Sequence, residues 1–145
     1  GGDLGRARAL YEEELSLFEQ LGDRSAIAAS RVNLGLVALG LGSAGEARRH
    51  LAEAMRLGEA LGNRTFLAGA LLGLAALRRA EGRPEAAARL LGESRALLEA
   101  TGGGFEPADR RVAEAEEAEL RRSLGKQFEV HWRRGHDAPD ARDRT

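Results

Sequence analysis

The sequence predicts an all-α fold: an α-α superhelix, or helical solenoid, of about seven helices with a polar two-helix cap at its C-terminal end. Three observations predict it. The stretch from Val32 to Met55 reads as a helix, a Gly42-Ser43 turn and a second helix, and it recurs with an offset of 40 residues. That offset carries Leu34-Gly35 onto Leu74-Ala75, Gly42 onto Gly82, Ala47 onto Ala87 and Leu51 onto Leu91; backwards it reaches Gly2, Ala7 and Tyr11. Secondly, Leu21-Gly-Asp-Arg24 returns as Leu61-Gly-Asn-Arg64. Thirdly, helices apolar on nearly every face alternate with amphipathic ones across very short turns, which makes neighbours antiparallel.

The first helix, to about Leu21, opens at Asp3 as its cap and carries Leu4, Ala7, Tyr11, Phe18 and Leu21 at spacings of one helical stripe. Gly22 ends it, because the residue after a helix commonly turns left-handed. The second helix, from about Arg24 to Leu41, is apolar almost all round, so it is expected to be buried on several sides. Its Gly35 costs about 1 kcal/mol of helix propensity against Ala, which suggests a packing reason. Ser43 with Glu46 three residues on reads as a capping box for the third helix, which is amphipathic through Ala47, Leu51 and Ala54. The fourth helix is mostly apolar, and the fifth follows Pro84, whose missing N–H does no harm in a first turn.

These elements give helical repeats over residues 1–101, divided into a half-hairpin 1–22, a hairpin 23–62 and a hairpin 63–101. Residues 102–106 read as a Gly-rich linker, 107–135 as capping helices and 136–145 as a disordered tail with no apolar content to order it. The sixth helix is charged, with only Ala108, Val112 and Ala115 as a thin apolar edge; the seventh puts Phe128 and Trp132 on one face.

At 145 residues and a net charge of −1, the chain is one domain by length and offers no electrostatic case for a nucleic-acid or membrane surface. With no cysteine, disulfides and thiolate metal sites are excluded. No apolar run is long enough to span a bilayer, and no signal peptide opens the chain, so the expected location is cytoplasmic. The opening Gly-Gly-Asp, without methionine, reads as a piece cut from something larger.

The hairpin resembles the tetratricopeptide repeat, on Leu34-Gly35 with Ala47-x-x-x-Leu51 and Leu74-Ala75 with Ala87-x-x-x-Leu91. Structural repeat positions by that resemblance are Gly35, Ala47, Leu51, Ala75, Ala87 and Leu91. The family's bulky aromatics are absent, with Arg31, Ala38, Leu71 and Arg78 in their places, and the period is 40 rather than about 34. The closing segment is similar to the C-terminal region of large bacterial ATP-binding transcriptional regulators of the LuxR, MalT and AfsR type. Its marks are Ala87-Ala88-Arg89-Leu90-Leu91-Gly92 and Phe128-x-x-x-Trp132-x-x-Gly135. Similar segments also follow kinase and cyclase domains.

The resemblance implies a non-catalytic scaffold that binds a protein or peptide partner, or a small effector, in a concave groove lined by the first helix of each hairpin. Asn33 stands where family members place a peptide-gripping amide; Leu36 lines the same helix, and Arg31 and Arg79 could hold a carboxylate. No phosphate-binding glycine loop and no nucleophile–base set is arguable, so no enzyme, no cofactor and no direct nucleic-acid contact is expected. His50 sits alone; His131, His136 and Asp137 are the nearest approach to a metal cluster, and no metal site is expected of them. The alternative reading is an oligomerisation module, a homodimer through the first helix, where Leu10, Tyr11, Leu17 and Phe18 would be partly exposed.

Overall fold

A computed structural model describes residues 2–105 and 107–137. It is all-α, with no strand among the described residues. The helices are α1 (Gly2–Leu21), α2 (Arg24–Gly40), α3 (Ala44–Leu61), α4 (Arg64–Ala80), α5 (Pro84–Thr101), α6 (Pro107–Leu124) and α7 (Gln127–Asp137). Left-handed glycines follow α1 to α5 at Gly22, Gly42, Gly62, Gly82 and Gly102, one every 20 residues, half the sequence period. At Gly62, φ is 65° and its N–H closes onto the Glu59 carbonyl, a backbone that a Cβ would strain.

The described residues divide into two compact units, one ending at Asn63 and the other beginning at Arg64. The boundary falls where the hairpins 23–62 and 63–101 meet, and the second hairpin groups with the C-terminal helices. The reason is packing: α5 lies against α7 as closely as against α4.

In the first unit, α2 and α3 form a hairpin and α1 packs on α2. Leu34, Ala38, Ala47, Leu51 and Ala54 are buried. Gly35 lies under Leu51, whose Cγ stands 2.8 Å from where a Cβ would be, so the glycine does have a packing reason. Two capping expectations are corrected. Asp3 lies within the first turn of α1 rather than before it. Ser43 makes no side-chain capping bond, and Glu46 accepts instead from Arg8 of α1 at 2.6 Å. The side-chain cap in this unit is Asp23, which accepts from the Ala26 N–H at 3.1 Å. The expected stripe of α1 is half-buried at Leu4, Ala7, Tyr11 and Phe18 and gains Leu15, its buried residue, whereas Leu21 is 68% exposed.

In the second unit, α4 and α5 repeat the hairpin, with Ala75 and Ala87 fully buried and Leu91 nearly so. Ser94 Oγ donates to the Ala68 carbonyl at 2.6 Å, a buried bond between the two helices. α7 crosses α5 at backbone distance, Gly92 facing the Trp132 carbonyl and Gly135 the Arg89 carbonyl. α6 is more than a polar cover, since Leu120 is fully buried and Glu116 nearly so; the side chain of Ala108 lies outside the described residues. α7 runs to Asp137, two residues past its expected end, because Gly135 seats on α5 and His136 bonds Glu99 there. The rest of the expected tail, 138–145, lies outside the described residues.

Candidate functional site

Arg31, Asn33 and Leu36, all on α2, lie in the first unit, and each is half-buried. The Asn33 amide makes no hydrogen bond among the described residues. Arg31 is already engaged: its Nη1 lies 3.1 Å from His50 Nδ1. A guanidinium only donates, so that imidazole nitrogen accepts and the ring is neutral, with its proton on Nε2 toward Glu46 at 3.8 Å. Burial, then the Arg31 charge, holds His50 below its ordinary pKa, against a weaker pull from Glu46. The result is a polar chain, Arg8–Glu46–His50–Arg31, joining all three helices of this unit.

Arg79 belongs to the second unit and is spoken for as well. The Glu116 carboxylate accepts from its Nε at 2.6 Å and its Nη2 at 3.0 Å, a bidentate clamp between α4 and α6. The sequence supplies the right chemistry for Arg79, a carboxylate, but the carboxylate is the chain's own. Glu116 was hidden in a charged helix, and an unpaired acid among many gives no signal before the fold is known. Next to Arg79, Arg78 is 2% exposed and donates to Glu81 at 3.0 Å. It occupies the place of an expected aromatic, with its whole side chain, guanidinium included, buried there.

Among the described residues no group of three His, Cys, Asp or Glu could hold a metal ion. His136 Nε2 faces Glu99 at 2.7 Å and its Nδ1 faces Asp137 at 2.8 Å. Two carboxylates on two ring nitrogens favour the imidazolium, and they raise the His136 pKa, the Asp137 bond more than the Glu99 bond. His131 moves the other way, lowered by burial and by Arg134 and Arg89.

The second unit also holds a cleft of about 590 Å³ that the sequence did not announce. Leu72 of α4 and Leu91 of α5 form its floor, with Trp132 of α7 and Phe105 of the loop before α6 as aromatic walls. Charged groups rim it: Arg95 from α5, and Arg110, Glu114 and Glu117 from α6. The spacing 110, 114, 117 is one face of a helix, the signal that could have pointed here.

Among the described residues no helix is long and apolar enough to cross a membrane. The family model for Tetratricopeptide repeat matches residues 26–100, covering α2 to α5 but for their outermost residues. No curated protein and no solved structure matches the chain.

Proposed function

Because this chain belongs to the tetratricopeptide repeat family, we propose that it is the binding arm of a larger bacterial signalling protein, an ATP-binding transcription regulator. Repeats of this family generally mediate protein–protein interaction, which supports reading the chain as a non-catalytic scaffold. The finer reading is that α2 offers a peptide-gripping face. The observation that carries it is Asn33, half-buried with an amide that no described residue satisfies, and Leu36 one turn on. An amide so placed offers an extended peptide backbone one donor and one acceptor. The parent context rests on the closing-segment resemblance, whose two motifs meet at the α5–α7 crossing. Binding would regulate by differential affinity: a partner that prefers one of two states of the parent shifts its balance.

Panning a displayed peptide library on the chain tests this face. Selected peptides should lose about 1–3 kcal/mol of binding to Asn33→Ala, the cost of an unmade buried hydrogen bond. Peptides that bind Asn33→Ala and Leu36→Ala as well as the parent chain would remove the α2 face from the proposal.

The second reading is self-association through α1. Leu10, Leu17 and Leu21 are 54%, 52% and 68% exposed, and their spacing of seven and four places them on one stripe. Light scattering across a concentration series decides it, and a mass that stays monomeric throughout rejects it.

A further inference from the structure

The cleft of the second unit combines an apolar floor with charges of both signs that do not neutralise one another. Arg95 and Glu114 make no ion pair among the described residues, and Arg110 gives only a long 3.4 Å bond to the Phe105 carbonyl. Glu117 is occupied by Arg121 at 3.5 Å. Three charges of the lining therefore have no ion pair among the described residues: two guanidiniums from two helices, Arg95 on α5 and Arg110 on α6, and one carboxylate, Glu114. Arg110 and Glu114 are four residues apart, which is about 6 Å along a helix axis. They are close enough to pair in solution-exposed helices, yet here Arg110 is turned toward the loop carbonyl instead.

We propose that this cleft binds a small zwitterion with an apolar body, specifically a free apolar dipeptide. Its carboxylate lies between Arg95 and Arg110, its ammonium meets Glu114, and its side chains rest on Leu72, Leu91 and the Trp132 ring. The fit is one of length, volume and charge. Two residues span at most about 7 Å, matching the rise between the α6 charges. A space of about 590 Å³ falls within the range of small-molecule sites. A simple fatty acid would satisfy the guanidiniums but set its tail beside an unanswered Glu114; a zwitterion answers both signs. This site is separate from the α2 face, so either proposal can fail without the other.

Trp132 is the only tryptophan in the chain and stands in the cleft wall, so its emission reports occupancy directly. Leucyl-leucine is titrated into the whole chain, followed by fluorescence and by calorimetry. N-acetyl-leucyl-leucine, without the ammonium, and leucyl-leucinamide, without the carboxylate, serve as the two one-charge probes. The expected result is saturable binding of leucyl-leucine, with each one-charge probe weaker by about threefold or more, the scale of a solvent-exposed ion pair. Arg95→Gln and Arg110→Gln should weaken leucyl-leucine but leave leucyl-leucinamide unchanged; Glu114→Gln should weaken leucyl-leucine but leave the acetylated probe unchanged. All three side chains are exposed, so these variants keep the fold. No saturable signal by either method overturns the proposal, as does equal binding of the three probes. Tighter binding of the acetylated probe would assign the cleft to a plain carboxylate instead and equally overturn it.

Discussion

In the α2–α3 hairpin a Cβ on Gly35 would meet the Leu51 side chain, at 2.8 and 3.0 Å; at the α5–α7 crossing a Cβ on Gly135 would meet the Arg89 carbonyl oxygen at 1.8 Å. Gly92 faces the same crossing from the other side, with the Trp132 carbonyl 2.0 Å from its Cβ position. Both regions use glycine to bring helices together, yet what they meet differs. A leucine can rotate or shift by a few tenths of an ångström, whereas two helical backbones cannot yield without separating along their length. The repeat hairpin therefore has tolerance built into it and the closing crossing has none. That is why each of the closing segment's two motifs ends on a glycine, while the repeat position of Gly35 is filled by a buried alanine, Ala75, one period later.

The strongest way to break this comparison is alanine at the crossing. Gly135→Ala and Gly92→Ala should each cost about 3 kcal/mol, at the upper end of overpacking penalties, and should shift the Trp132 emission in the folded state. Denaturant unfolding followed by tryptophan fluorescence reads both. Wild-type stability in either variant would mean that α7 does not rest on α5 as described.

A smaller effect is expected where the second unit relies on charge. Glu116→Gln removes the carboxylate that clamps Arg79 and joins α4 to α6. With the Arg79 side chain 39% exposed, solvent screens the pair, so the expected loss is about 1 kcal/mol. The loss should shrink at high salt, and a salt-independent loss would point to packing rather than charge.

Gly35→Ala sharpens the contrast from the other side. Removing the glycine gains about 1 kcal/mol of helix propensity, and displacing Leu51 returns a cost of similar size. The net change, read by far-ultraviolet circular dichroism, should stay within about 1 kcal/mol of zero. A loss as large as that of Gly135→Ala would erase the distinction between the two regions.

The same contrast explains what the sequence disclosed. Period, left-handed glycines and hairpin core were legible because each is a local rule repeated: Leu34, Ala47 and Leu51 announce themselves again as Leu74, Ala87 and Leu91. The crossing was visible only as two motifs without a reason for them, since nothing in the spacing of Gly92 and Gly135 says that they approach different parts of one another's helix. Charge alone marks Arg31 and Arg79 as candidate carboxylate holders, whereas their partners within the chain, His50 and Glu116, become visible only with the fold. The cleft around Trp132 takes its walls from four helices and a loop, and such convergence has no linear signature.

Acid provides the finest distinction between the units, through imidazoles that are perturbed in opposite directions. His136 has a raised pKa, so its folded form holds the proton more tightly than the unfolded chain does. Its contribution is fully present below the ordinary value of 6.5 and is lost as pH rises through the folded value. His50 is lowered, so its contribution is present above 6.5 and is lost as pH falls from there toward the folded value. His131, in the second unit, is lowered too and works with His50 against His136. Replacing His136 with Gln should therefore leave stability near pH 8 almost unchanged, lower it near pH 5.5, and shift the fluorescence-monitored midpoint by a small amount there. Replacing His50 with Gln should flatten the acid-side decline read by circular dichroism instead. Ring-proton titration by NMR gives the order directly, with His136 last to lose its proton as pH rises; a His50 that titrates above His136 would mean that its Nδ1 does not accept from Arg31.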